Sequence, residues 1–157
     1  MSLDIQALRE SFTLVAERAP DLTRRFYEIL FDRNPALKTM FGRDMRAQEE
    51  MLTRALAAVI EHLEDGPWLA DTLRALGAKH VGYGVTEEMY PLVGEALLAA
   101  LWEVAGDAWT PRVAGAWADA FGVIAALMIE GARDAVTYDG KRSSEVPTPK
   151  TSSQLSR

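Results

Sequence analysis

Three observations predict an all-α domain. Apolar residues recur at helical spacing up to about Tyr138, no stretch alternates apolar and polar residues as a half-buried strand would, and the interruptions carry helix-ending and helix-opening residues. The breaks fall at Ala19-Pro20, Asn34-Pro35, Gly66-Pro67, Gly84-Val85-Thr86 and Thr110-Pro111. They leave segments of roughly 3–18, 20–33, a short turn at 35–41, then 45–64, 67–82, 87–105 and 111–138.

Taken in order, the first segment carries Leu3, Ala7, Leu8, Leu14 and Val15 at spacings that place them on one face. Pro20 opens the second segment, since proline's missing N–H has no intrahelical partner in the first turn. The same reasoning puts Pro67 and Pro111 at the starts of the fifth and last segments, with Thr86 and Thr110 as N-caps of the sixth and the last. The fourth segment shows the clearest stripe, Leu52, Leu56, Val59, Ile60 and Leu63. Beyond Tyr138 the chain turns to Ser, Thr, Pro and Lys, so one domain over 1–139 and a disordered tail over 140–157 are expected.

Composition narrows the chemistry. A chain of 157 residues with 48% hydrophobic content is long enough to bury one core. The net charge is −6 and the 17 basic residues are scattered, so the basic stripe that phosphate backbones require is missing and nucleic acid is not an expected partner. With no cysteine, disulfides, zinc–thiolate sites, iron–sulfur clusters and thiolate-linked haem are excluded, and a metal must be held by His, carboxylate or Tyr. Asp4, Arg9 and Glu10 interrupt the N-terminal apolar residues, which is not a signal-peptide pattern, and a cytoplasmic location is expected. The longest apolar run, Val123 to Ile129, is too short to span a bilayer, so no membrane insertion is expected.

The most informative residue is His80, in Leu76-Gly77-Ala78-Lys79-His80-Val81-Gly82-Tyr83-Gly84-Val85, one of only 2 histidines and set in an apolar helical pattern near a helix end. Taken singly it fits a packed or surface histidine as well as a metal ligand. Its surroundings are more specific. Arg25-Phe26-Tyr27-Glu28-Ile29-Leu30-Phe31, then Asn34-Pro35-Ala36-Leu37 and Met40-Phe41, resembles the second helix and following corner of bacterial globins. Lys79-His80, Tyr83 and Val85, followed by Glu88-Met89-Tyr90-Pro91-Leu92-Val93-Gly94-Glu95, is similar to the proximal half of the same family. The resemblance covers about residues 3–138 and is closest to the globin domain of flavohaemoglobins and their single-domain relatives.

That resemblance implies a globin fold, a three-over-three helical sandwich around haem b (iron protoporphyrin IX). It implies that His80 is the proximal iron ligand, its second nitrogen fixed by a neighbouring acceptor. Phe41, Leu52, Lys79, Tyr83, Val85 and Val93 are the residues it places around the haem. Phe41 also reads as an ordinary core aromatic. Tyr27 matches the tyrosine that donates a hydrogen bond to the gas ligand, and Gln48 matches the distal glutamine, four residues before Leu52 on the same helix face. Read without the resemblance, Tyr27 is an interface tyrosine and Gln48, before Glu49 and Glu50, a solvated side chain. His62 lies 14 residues after Gln48, about 21 Å along a helix, and reads as a solvated helix end rather than a second ligand.

Two departures from the family pattern stand out. Tyr90 matches a proximal tyrosine, but the glutamate expected beside it falls on Ala132, counting from Ala120-Phe121-Gly122-Val123. The nearest acid, Glu130, is nine residues from Phe121 and points about 180° away from it on a helix. A more neutral proximal histidine follows from that gap. The chain also ends where a flavin- and NADH-binding reductase would begin, so a separate NAD(P)H-dependent reductase is an expected partner, with dioxygen and nitric oxide as ligands. Nitric oxide dioxygenation to nitrate is the activity the resemblance implies. Reversible oxygen binding for storage or delivery, and a gas-sensing module, are the alternatives. A purely structural helical bundle is the remaining one.

Overall fold

The computed structural model of the chain describes residues 3–144. Among them lie six α-helices and no strand: α1 (Ile5–Ala16), α2 (Ala19–Arg33), α3 (Met45–Glu61), α4 (Gly66–Gly82), α5 (Met89–Ala105) and α6 (Pro111–Ser144). Short 3-10 turns at Pro35–Met40 and Gly106–Ala108 precede α3 and α6. The all-α expectation therefore holds, and the helix boundaries fall within a few residues of those read from the sequence.

The helix starts show why. Asp4, Asp44 and Asp65 each accept a hydrogen bond from the backbone N–H three residues on, at 3.1, 3.1 and 3.2 Å, satisfying a donor with no intrahelical partner. Thr110 does the same for Val113 at 3.3 Å, and Pro111 follows it as the first residue of α6. Pro20 and Pro67 sit second in their helices, behind Ala19 and Gly66. Thr86 is not a cap: α5 starts at Met89 behind Glu88, and Thr86 contributes only its carbonyl, to the Met89 N–H at 3.1 Å. The α4–α5 turn instead depends on Gly84, whose φ of 83° is the left-handed region that glycine enters without strain.

Most of the core collects along α1, α2, α5 and α6, where Leu8, Leu22, Leu30, Ala100 and Leu101 are almost fully buried. Helix α2 packs on α5, α1 on α6, and α3 on α2. Ser11 and Trp117 solve a polar burial problem jointly. The Trp117 indole N–H donates to Ser11 Oγ at 2.9 Å and Ser11 donates to the Ala7 carbonyl at 2.6 Å. Leu14 departs from the expected stripe and is exposed, because it stands about 100° round the helix from the buried Val15.

A second cluster forms around Leu69, Leu73, Tyr90 and Met128, where α4 packs on α6. Helix α6 runs to Ser144, five residues past the expected domain boundary, and the rest of the expected tail lies outside the described residues. The seven-residue apolar run understates α6. Over Pro111–Thr137 it is long and apolar enough, by length and composition, to cross a membrane. Only 22% of its most apolar stretch is buried, with Ala116, Trp117, Ala120 and Met128 of α6 packed against neighbouring helices.

Candidate functional site

Helix α2 supplies the first half of the site. Its apolar stripe buries Phe26, Tyr27, Ile29 and Leu30, and Tyr27 is 7% exposed. Phe41, just past the 3-10 turn, meets Tyr27 edge-on with ring centroids 5.5 Å apart and meets Phe31 at 5.3 Å. These three rings form one aromatic wall, since Tyr27 and Phe31 lie one turn apart on α2 at 5.8 Å.

The Tyr27 hydroxyl donates to the Gln48 backbone carbonyl at 3.4 Å, which brings Tyr27 to the first turn of α3. Burial, and secondly the nearby Glu49 carboxylate, push its pKa up to about 12. The phenol therefore stays protonated at neutral pH and is a hydrogen-bond donor. Its bond to the carbonyl is long, so a better acceptor would draw it away at little cost. The Gln48 amide nitrogen lies on the corner side of α3, 3.9 Å from where a Gly42 side chain would begin. Tyr27 and Gln48 are thus adjacent through Gln48's backbone. Leu52, one turn on, is half-buried against the first cluster.

Helix α4 supplies the other half. His80 lies in its last turn and is half-buried, and its Nδ1 pairs with the Leu76 carbonyl at 2.7 Å. In a neutral imidazole that assigns the proton to Nδ1 and leaves the Nε2 lone pair free. Leu76 is marked by no motif; its position four residues before His80 is the signal that points to it. Val85 joins the second cluster, whereas Val93 packs against the first. Lys79 is exposed, and so is Tyr83, whose ring edge approaches the His80 imidazole with centroids 5.7 Å apart.

Tyr90 is buried at 8% exposure in the second cluster, and its hydroxyl has no hydrogen-bond partner among the described residues. Burial and the Glu87 carboxylate raise its pKa, so it too is a protonated donor. Ala132 is half-buried on α6, while Glu130 is exposed and pairs with Arg74 at 3.1 Å.

His62 is more than a solvated helix end. It is half-buried at the end of α3, stacked on Trp68 at 3.6 Å and 17°, with Nδ1 against the Ala58 carbonyl at 2.9 Å. Stacking explains the difference, because Trp68 opens the next helix and folds back over it. His62 belongs to the α3–α4 corner.

The residues present fit a haem. Tyr27, Phe41 and Leu52 belong to one hydrophobic cluster and Tyr90, Leu76 and Val85 to another, with α3 and α4 not closely packed on each other. A flat apolar group between them would cover the half-buried Phe41, Leu52 and Val85. His80 Nε2 is the side-chain donor that would hold the iron.

Fold and site define a haem-protein architecture of a known kind, and the globin family model matches residues 24–128: the chain belongs to the globin family. It is 35% identical over 142 residues to a flavohemoprotein of Rhodopirellula baltica, covering 88% of this chain and 34% of that protein. The chain therefore spans about a third of the length of the flavohemoproteins it matches. A bacterial globin from Campylobacter jejuni superposes with a TM-score of 0.74 at 28% identity, over 86% of this chain and 96% of the other. A flavohemoglobin from Malassezia yamatoensis, solved with bound FAD and heme, shares the fold at TM-score 0.71 and 22% identity, over 85% of this chain and 36% of the other.

Proposed function

We propose that this globin binds haem b, with His80 as the iron ligand, and converts nitric oxide and dioxygen to nitrate with electrons from a separate NAD(P)H-dependent reductase. This reading puts it in the cytoplasm, beside the NAD(P)H pool. The observation that carries it is His80 in the last turn of α4, whose Nδ1 is engaged by the Leu76 carbonyl so that Nε2 is left available to an iron. Its relatives named flavohemoprotein support the chemistry.

Haem, when bound, would supply the iron centre at which dioxygen and nitric oxide react. The chain supplies the rest. Leu76 holds the imidazole in one tautomer and orientation, which keeps Nε2 a donor of electron density. Tyr27 is poised to turn its hydroxyl from the Gln48 carbonyl to a partly anionic ligand, and a donor that is already buried needs little reorganisation to do so. The Gln48 amide is the second donor in reach of that side through rotation about its own side-chain bonds. Leu52 and Phe41 exclude water, which strengthens both hydrogen bonds. Val85, Val93, Lys79 and Tyr83 line or flank the haem in this reading.

The test is direct. Haem-loaded ferrous protein equilibrated with dioxygen is mixed with nitric oxide, and nitrate is measured. Rapid, stoichiometric nitrate with conversion to ferric haem is expected. A protein that holds dioxygen but yields little nitrate overturns the enzymatic reading and leaves oxygen storage or delivery.

That second reading has its own support in Tyr90. A hydroxyl without a partner, and alanine where the acid would stand, leave His80 hydrogen-bonded to a neutral carbonyl. Such an imidazole pushes less electron density to the iron than one bonded to a carboxylate, which favours holding dioxygen over splitting it. Ala132→Glu is accordingly expected to raise peroxidase turnover by about tenfold or more, in the range that hydrogen-bond partners of a metal's ligand command. Unchanged turnover with a normal haem spectrum would show that residue 132 does not face Tyr90.

A further inference from the structure

Helix α4, which carries His80, packs closely on a single helix, α6. The seam between them has no room for side chains at two points. A Cβ on Gly77 would overlap the Met128 carbonyl and stand 2.6 Å from the Met128 Cα. A Cβ on Gly131 would overlap the Arg74 carbonyl and stand 2.7 Å from the Arg74 Cα. The contact is reciprocal: each helix offers a glycine to the backbone of the other, three residues apart in opposite directions. Backbones in such contact lie closer than the 8–10 Å axis spacing that ordinary side chains impose. Ion pairs flank the seam, Arg74 of α4 to Glu130 of α6 at 3.1 Å and Arg133 of α6 to Glu87, in the turn after α4, at 2.6 Å.

His80 sits one turn beyond Gly77, so any displacement of the seam moves the imidazole with it. Helix α6 is also packed on α1 and α5 and is the fixed partner; α4 is the one that would move. From these contacts we infer that the Gly77–Gly131 interlock sets the depth of His80 behind the haem, making both glycines positioning residues for the iron ligand. The inference rests on the haem reading above. An alanine at either position lifts α4 off α6, and the unpacked side of α4 is the only direction open to it.

The test uses haem-loaded protein and the iron–histidine stretching band of the ferrous, ligand-free form, with a thermal midpoint for each variant. Gly77→Ala and Gly131→Ala are expected to displace or split the band. Gly94→Ala is the control, because a Cβ there would overlap the Phe121 ring at the seam between α5 and α6, away from α4. It is expected to lower the midpoint while the band stays in place. Should neither interlock variant fold, Leu73→Ala removes volume from the same seam, and the band is expected to move the opposite way. An unmoved band in the variants that fold, beside a normal wild-type band, overturns the inference alone. Absence of an iron–histidine band from the wild type overturns the haem reading and the inference together.

Discussion

His80→Ala is expected to abolish stable haem binding. The imidazole is the one ring-nitrogen side chain on α4 that the resemblance assigns to iron, and the Leu76 carbonyl already holds its Nδ1 at 2.7 Å. Losing a hydrogen-bond partner of a ligand commonly costs 10- to 100-fold in metal affinity, and losing the ligand itself should exceed about 100-fold. Protein purified with excess haem should show no Soret band beyond free haem. Added imidazole should restore part of it, because the alanine leaves a cavity of ligand shape in the last turn of α4. A five-coordinate histidine spectrum that persists in the variant would remove His80 from the iron.

Why His80 could be found without coordinates, while its supports could not, follows from where the information lies. Prolines and helix caps act within one turn of chain, so the starts of α2, α4 and α6 were legible at Pro20, Pro67 and Pro111. Tyr27, Gln48 and Phe41 were singled out by the family resemblance, and the structure brings the Tyr27 ring against Phe41 and its hydroxyl to the Gln48 carbonyl in the first turns of α3. Which way the Gln48 amide turns is a rotamer choice made against Gly42, a residue that no helical periodicity links to it. The interlock at Gly77 and Gly131 is less legible still. Two glycines 54 residues apart in sequence look like two weak helix positions until α4 and α6 are seen to meet there. Leu14 and His62 differ from expectation for a similar reason: their surroundings are set by which helix crosses nearby, and in His62's case by Trp68 folding over it.

Tyr27→Phe is expected to raise the dioxygen dissociation rate by about fivefold to a hundredfold. The range corresponds to loss of about 1–3 kcal/mol from a buried hydrogen bond to a partly charged acceptor. The substitution keeps the ring, so the contacts with Phe31 and Phe41 survive and the change isolates the hydroxyl. A phenol with its pKa pushed up to about 12 donates its proton at every pH where the protein works, so the effect should be flat between pH 6 and 9. The Gln48 carbonyl loses a long hydrogen bond, 3.4 Å, and little stability should follow. Two readouts therefore separate the roles. A faster dissociation rate with an unchanged thermal midpoint marks a donor to the ligand, whereas a lowered midpoint with an unchanged rate would mark a phenol that serves only to tie α2 to α3.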